Sequence, residues 1–116
     1  MRLVVQRVDE AFTTLDGGVQ TRIATGLLIF VAVEDKDTFK EVQKMALKVL
    51  KLRIFNDSNS KMNYSVQDIK GELLIVSQFT LLADCLKGNR PNFLKSGDPI
   101  HAKKIYNEFV NYMHNK

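Results

Sequence analysis

Ser77-Gln78-Phe79-Thr80-Leu81 sets two hydroxyls, a carboxamide and an aromatic ring where an apolar run, Glu72-Leu73-Leu74-Ile75-Val76, gives out. A strand that ends this way delivers polar side chains and a row of main-chain amides to the edge of a core. Open sheets and barrels build sites at such ends. Thr80 has the type of a nucleophile, but a threonine hydroxyl is a poor one without a base. The two histidines, His101 and His114, both fall on a C-terminal helix and have no triad-like neighbours in sequence. A Ser-His-Asp arrangement on Ser77 is therefore disfavoured. Ser77 and Thr80 also have a plainer use, bonding nearby backbone at a strand end. Phe79 suits a core as well as a substrate surface.

Cys85 is the only cysteine. It allows no intrachain disulfide, which suits a reducing compartment. With no histidine near it in sequence, it reads as a small, semi-buried filler rather than a nucleophile. Lys87, Arg90 and Lys95 sit in a long irregular stretch from Ala83 to Lys95, where they either meet phosphates or simply face water. Arg7 lies on the first strand, and Met62 reads as a packing residue.

The net charge of +4 permits a polyanionic partner without requiring one. Lys40, Lys44, Lys48 and Lys51 lie off the apolar stripe of a helix, so they read as a solvated face rather than a nucleic-acid track. The 116 residues fit one domain, 1–116, large enough to fold without metals or disulfides. No apolar run approaches the roughly 20 residues that cross a bilayer. The first residues read as a strand rather than a signal peptide.

The elements that must position these residues follow from period and punctuation. Arg2–Val8 alternates as a strand. Ala11–Leu15 and Val19–Ile23 flank Asp16-Gly17-Gly18, a hairpin signal, with Val19, Thr21 and Ile23 on one face. Gly26 ends the hairpin, and Leu27–Val33 is a central strand covered on both faces. Glu34–Asp37 is a polar loop. Thr38 and Glu41 make a capping box for a helix that buries Val42, Met45, Ala46 and Val49. Lys61–Val66 is a short strand, and Lys70-Gly71 turns into the strand that ends at Ser77. Asp98 caps a second helix with Pro99 at its first position, burying Ala102, Ile105, Tyr106, Phe109 and Met113. The fold class is α/β: a curved sheet or barrel-like domain with two amphipathic helices packed outside.

Several segments together resemble the D-aminoacyl-tRNA deacylase family, also called D-tyrosyl-tRNA deacylase. They are Met1–Val8, Gly26-Leu27-Leu28, Leu52-Arg53-Ile54-Phe55, Lys61-Met62-Asn63 with Ser65-Val66, Gly71-Glu72-Leu73-Leu74, Ser77–Leu81, Ala83-Asp84 and Lys87-Gly88-Asn89-Arg90-Pro91. Each is weak alone, but the set is specific and spans nearly the whole chain. The resemblance implies a cytoplasmic homodimer that hydrolyses the ester between a D-amino acid and the terminal ribose of tRNA. Glycine is also implied as a substrate, including glycine mischarged on tRNA(Ala). No metal and no organic cofactor are implied.

The chemistry it implies lets the nucleic acid take part. The 2′-hydroxyl of the terminal adenosine helps activate water, and main-chain amides around Phe79 and Thr80 hold the carbonyl oxygen. Ser77 and Gln78 complete the site, with Gln78 orienting the substrate or buttressing the family's Gly-Pro segment. Phe79 packs against adenine. Arg7, Met62, Lys87 and Arg90 are the further substrate-side residues. The family also carries an Asn-x-Gly-Pro-Val-Thr segment whose cis Gly-Pro bond screens chirality in the partner subunit's pocket. This chain has no Gly-Pro: Pro91 follows Arg90 and Pro99 follows Asp98. The expectation is thus a chain without that segment, with a binding module for the tRNA 3′ end or a nucleotide as the alternative to an enzyme. Leu82, Cys85 and Leu86 stand where the family often has Tyr, Thr and Arg, so one basic contact near the tRNA end is expected to be missing.

Overall fold

The structure, a computed structural model, describes residues 1–18, 20–96 and 98–116. In chain order its elements are β1 (Arg2–Val8), β2 (Ala11–Thr14), β3 (Gln20–Ile23), β4 (Gly26–Ala32), α1 (Phe39–Lys51), β5 (Phe55–Asn56), β6 (Met62–Tyr64) and β7 (Glu72–Ser77), then a 3-10 turn (Phe79–Leu82) and α2 (Pro99–His114). β4 lies between β1 and β7 in one sheet, while β2 pairs with β3 and β5 with β6. This is the expected α/β class, but its strands form three sheets rather than a closed barrel. No helix among the described residues is long and apolar enough to cross a membrane.

The chain divides into two compact units. The first holds Met1–Val4, Phe30–Leu47 and Ser77–Lys116. Its apolar interior is Val31, Ala32, Val33, Val42, Ala46, Leu82, Ile105, Phe109 and Met113, all buried. The capping box forms as the spacing predicts. Thr38 donates to Glu41 Oε2 from both its amide and its hydroxyl, each at 2.6 Å, and the hydroxyl accepts from the Lys40 amide at 3.3 Å. Val42, Ala46 and Val49 are buried, whereas Met45 is only half-buried. Asp98 occupies the N-cap of α2 but makes no side-chain cap bond. Its amide instead donates to Asp35 Oδ1 at 2.9 Å, so the helix start is tied to the loop after β4.

That loop is not the solvated stretch its composition suggests. Asp37 is fully buried. Its carboxylate accepts the Glu34 amide at 2.7 Å and pairs with the α-amino group of Met1 at 2.6 Å. His101 Nε2 lies 2.9 Å from the Asp37 carbonyl oxygen. A buried carboxylate survives only with such compensation, and a four-residue polar run does not reveal which member has it.

The second unit holds Val5–Ile29 and Lys48–Val76. The hairpin pairs Thr14 with Gln20 and Ala11 with Ile23. Gly17 and Gly18 take φ of 86° and 81°, which Gly adopts without a Cβ clash. Leu15 falls in the turn and is exposed. The expectation that Val19 opens the second arm and shares the inner face lies outside the described residues; of the other two, Ile23 is buried and Thr21 exposed. Gly26 begins β4 rather than closing the hairpin. A Cβ there would stand 1.8 Å from the Glu72 carbonyl oxygen, so only glycine admits the close approach. Around it, the Glu72 amide donates to the Thr25 carbonyl at 3.0 Å, and Glu72 Oε1 accepts the Ala24 amide at 3.1 Å.

Two substitutions test these local arguments. Gly26→Ala should lower the unfolding free energy in urea by about 2–4 kcal/mol, as overpacking against backbone cannot relax by a rotamer change. The Thr38 hydroxyl and amide pull the Glu41 carboxyl down from its ordinary 4.5 to about 2. A depressed carboxylate stabilises the fold above its unfolded pKa and loses that effect as pH falls through its folded one. Glu41→Gln should therefore lower Tm at pH 7, and the gap to the parent protein should close between pH 4.5 and about 2.

Candidate functional site

β7 ends at Ser77, but its path along β4 continues one residue further. The Gln78 amide donates to the Val31 carbonyl at 2.8 Å. Gln78 is still extended, with φ −149° and ψ 91°. The chain then tightens into the 3-10 turn, closed by Leu81 N to Gln78 O at 3.4 Å and Ala83 N to Thr80 O at 3.1 Å. Arg2 pins its far end by donating from Nη1 to the Leu81 carbonyl at 2.5 Å. In a turn of this kind the opening amides have no partner within it. Those amides belong to Phe79 and Thr80, the pair that the motif implicates as donors.

The side chains divide around this turn. Ser77, Gln78, Phe79 and Thr80 are all exposed. Gln78 Nε2 donates to Thr80 Oγ1 at 2.5 Å, so the Thr80 hydroxyl bonds a side chain rather than the expected backbone. Phe79 is 58% exposed, which removes it from the core. Its ring meets Phe93 edge to face, with centroids 5.3 Å apart.

Ser77, Phe79 and Phe93 form part of the wall of a cavity of about 600 Å³. Val31, Ala32 and Val33 supply apolar wall, Ser96 a hydroxyl, and α2 presents Pro99, Ala102, Lys103, Tyr106 and Asn107. Gln78 and Thr80 are not in the lining. Among the described residues no carboxylate and no histidine is; Lys103 and Tyr106 are the titratable groups of the lining. Burial raises the Tyr106 phenol above its ordinary pKa, which keeps it neutral at pH 7. Among the described residues no group of three or more His, Cys, Asp or Glu could hold a metal ion. A space of this size, apolar with a few hydroxyls and amides, suits a flat heterocycle with a sugar attached.

The remaining predicted residues are less concentrated. Lys87 and Arg90 are exposed on a loop whose base is a two-bond clasp, Asp84 N to Asn92 O at 2.7 Å and Asn92 N to Asp84 O at 2.9 Å. The stretch is thus more ordered than its composition implies. Cys85 is exposed on that loop, not semi-buried. Asp84 turns its carboxylate to the Leu86 amide at 3.0 Å instead of burying the neighbouring thiol. Arg7 and Met62 belong to the second unit. Arg7 Nη1 donates to the Ile54 carbonyl at 2.8 Å and to Asn56 Oδ1 at 3.3 Å. Met62 is 59% exposed rather than packed, because the short β6 pairs only with the two residues of β5. The cavity face of α2 escaped sequence reasoning: Tyr106 was legible as part of an apolar stripe, whereas Lys103 and Asn107 carry no periodic signal.

Comparison with known proteins places the whole chain. The family model for D-Tyr-tRNA(Tyr) deacylase matches residues 4–116. A D-aminoacyl-tRNA deacylase of Thermodesulfovibrio yellowstonii is 45% identical over 116 residues, covering 100% of this chain and 80% of the relative. One from Thermosipho africanus is 50% identical over 111 residues, covering 96% of this chain and 74% of the relative. A solved structure titled c-Myc DNA Unwinding Element Binding Protein is 38% identical, with a TM-score of 0.89, covering 99% of this chain and 77% of its own. The chain therefore belongs to the D-Tyr-tRNA(Tyr) deacylase family.

Proposed function

We propose that this protein hydrolyses the ester joining a D-amino acid to the terminal ribose of tRNA, releasing free D-amino acid and tRNA. The observation that carries this is the family match running through residues 4–116, the exposed motif included. Binding of the tRNA 3′ end without turnover is not favoured by the name that the relatives share.

The terminal adenosine enters the cavity and its base packs against Phe79 and Phe93. Ser77, on the cavity wall, bonds the ribose. The ester carbonyl lies at the amides of Phe79 and Thr80, which take the charge that develops on its oxygen. The ribose 2′-hydroxyl assists a water molecule. That water's oxygen bonds the carbonyl carbon, the bond to the ribose 3′-oxygen breaks, and the leaving oxygen takes a proton. Gln78, bonded to Thr80 Oγ1, steadies the turn from outside. Lys87 and Arg90 meet acceptor-stem phosphates. Arg7 and Met62 are further substrate-side residues, as the family resemblance implies. Glycyl-tRNA is a substrate as well. The protein works in the cytoplasm as a homodimer and forms one folding domain over residues 1–116.

The decisive assay incubates the purified protein with D-tyrosyl-tRNA and L-tyrosyl-tRNA. Release of D-tyrosine is expected, and none above blank would refute the function. Thr80→Val should slow turnover by less than about tenfold, because its hydroxyl is not the nucleophile. Replacing the Thr80 amide by an ester should cost about 100-fold or more, the scale of a lost oxyanion donor. The opposite ranking would make the hydroxyl the reacting group. Sedimentation at micromolar concentration should give a dimer; a clean monomer contradicts the assembly.

A further inference from the structure

Lys103 is the one charged side chain in the lining of the cavity beside Phe79, among the described residues. It shares a face of α2 with Tyr106 and Asn107, three and four residues on, and both also line the cavity. Lys103 is exposed, so its ammonium reaches water at the mouth while its stem borders the apolar wall. The ion pairs among the described residues are Met1 with Asp37, Arg22 with Glu10 and Lys36 with Glu34, so Lys103 has no carboxylate partner. In the same wall, Ser96 Oγ is buried with no hydrogen-bond partner. A buried hydroxyl left unpaired is costly, which points to an occupant with polar edges rather than a purely apolar one.

A nucleoside seated in this cavity keeps its base among the apolar walls. Its 5′-phosphate must stay outside, since a phosphodiester cannot shed its water in such surroundings without a partner. We propose that Lys103 Nζ holds the 5′-phosphate of the terminal nucleotide at the cavity mouth. This rests on the function proposed above and makes Lys103 a positioning residue: it fixes how far the nucleoside enters, and so where the ester stands relative to the Phe79 and Thr80 amides.

The test uses adenosine and adenosine 5′-monophosphate as probes in calorimetric titrations of the intact chain. The monophosphate should bind about three- to tenfold more tightly at low salt. That advantage should shrink as ionic strength rises, because an ion pair open to water is screened by salt. Lys103→Ala should abolish the advantage, so that the monophosphate binds the variant no more tightly than adenosine does, while Lys103→Arg should retain it. With D-tyrosyl-tRNA, Lys103→Ala should raise KM more than it lowers kcat. Equal binding of the two probes to the parent protein, or an advantage that survives Lys103→Ala, overturns the assignment while D-tyrosine release still stands. Failure to bind adenosine together with no D-tyrosine release overturns the assignment and the function together.

Discussion

The site depends on one main-chain hydrogen bond, from the Gln78 amide to the Val31 carbonyl. Val31 is buried near the end of β4, so its carbonyl is a fixed point. Holding Gln78 extended against it delays the turn by one residue beyond Ser77. The next two amides, on Phe79 and Thr80, then open a 3-10 turn instead of continuing the ladder, and groups at that position have no partner inside the turn. Were the chain to turn at Ser77, Phe79 would sit deeper in the turn. Were it to run on, the two amides would be taken up by strand pairing. Arg2, bonded to the Leu81 carbonyl, fixes the turn's other end. The donors are thus placed by backbone geometry, and the side chains of the motif serve to hold that geometry.

This explains why the shifted carboxylates lie elsewhere. Glu41 is pulled down by the Thr38 hydroxyl and amide in a helix cap. Asp57 is lowered by the amides of Lys61 and then Asn59 in the loop after β5. Asp68 is lowered by the Ser65 amide and hydroxyl, a reciprocal pair that includes Ser65 N to Oδ2 at 2.9 Å. Each is a carboxylate accepting local backbone donors, the usual cause of depression at turns and caps. None of the three lines the cavity. Perturbed titration marks many active sites because general acids and bases must be tuned. A site whose donors are peptide amides needs no tuned acid, so here the perturbed groups mark turns.

The legible parts of the sequence are those governed by local period and local chemistry. β1, the Gly17-Gly18 turn and the capping box follow from patterns within a few residues and agree with the structure, as does the stripe of α2 at Ile105, Phe109 and Met113, while Ala102 and Tyr106 are only half-buried because they face the cavity. What stayed hidden depends on tertiary partners. Asp37 looks like its solvated neighbours until the Met1 amino group and the Glu34 amide are seen on its carboxylate. Met62 looks like core because methionine usually is, yet β6 is too short to cover it. Gly26 looks like punctuation, and only the Glu72 backbone shows that it is a close approach. In the site, the motif was legible by resemblance. The opposing wall from α2 was not, because a helix that buries Ile105 and Phe109 gives no sign of what its flank faces.

The character of the cavity also limits what it can discriminate. Its walls offer an aromatic edge, hydroxyls, an amide and one cation at the mouth. In the function proposed above, those groups would meet features that every aminoacyl-tRNA shares: a terminal adenosine, a ribose and an ester. No carboxylate and no graded pocket in the lining would read the identity of an amino-acid side chain. Specific recognition of a polar side chain requires a buried partner left unpaired by the wrong ligand. Among the described residues the one such lining atom is Ser96 Oγ, a single hydroxyl able both to donate and to accept. Among the described residues the lining thus offers no charged partner of its own for an acidic or amide side chain other than Lys103.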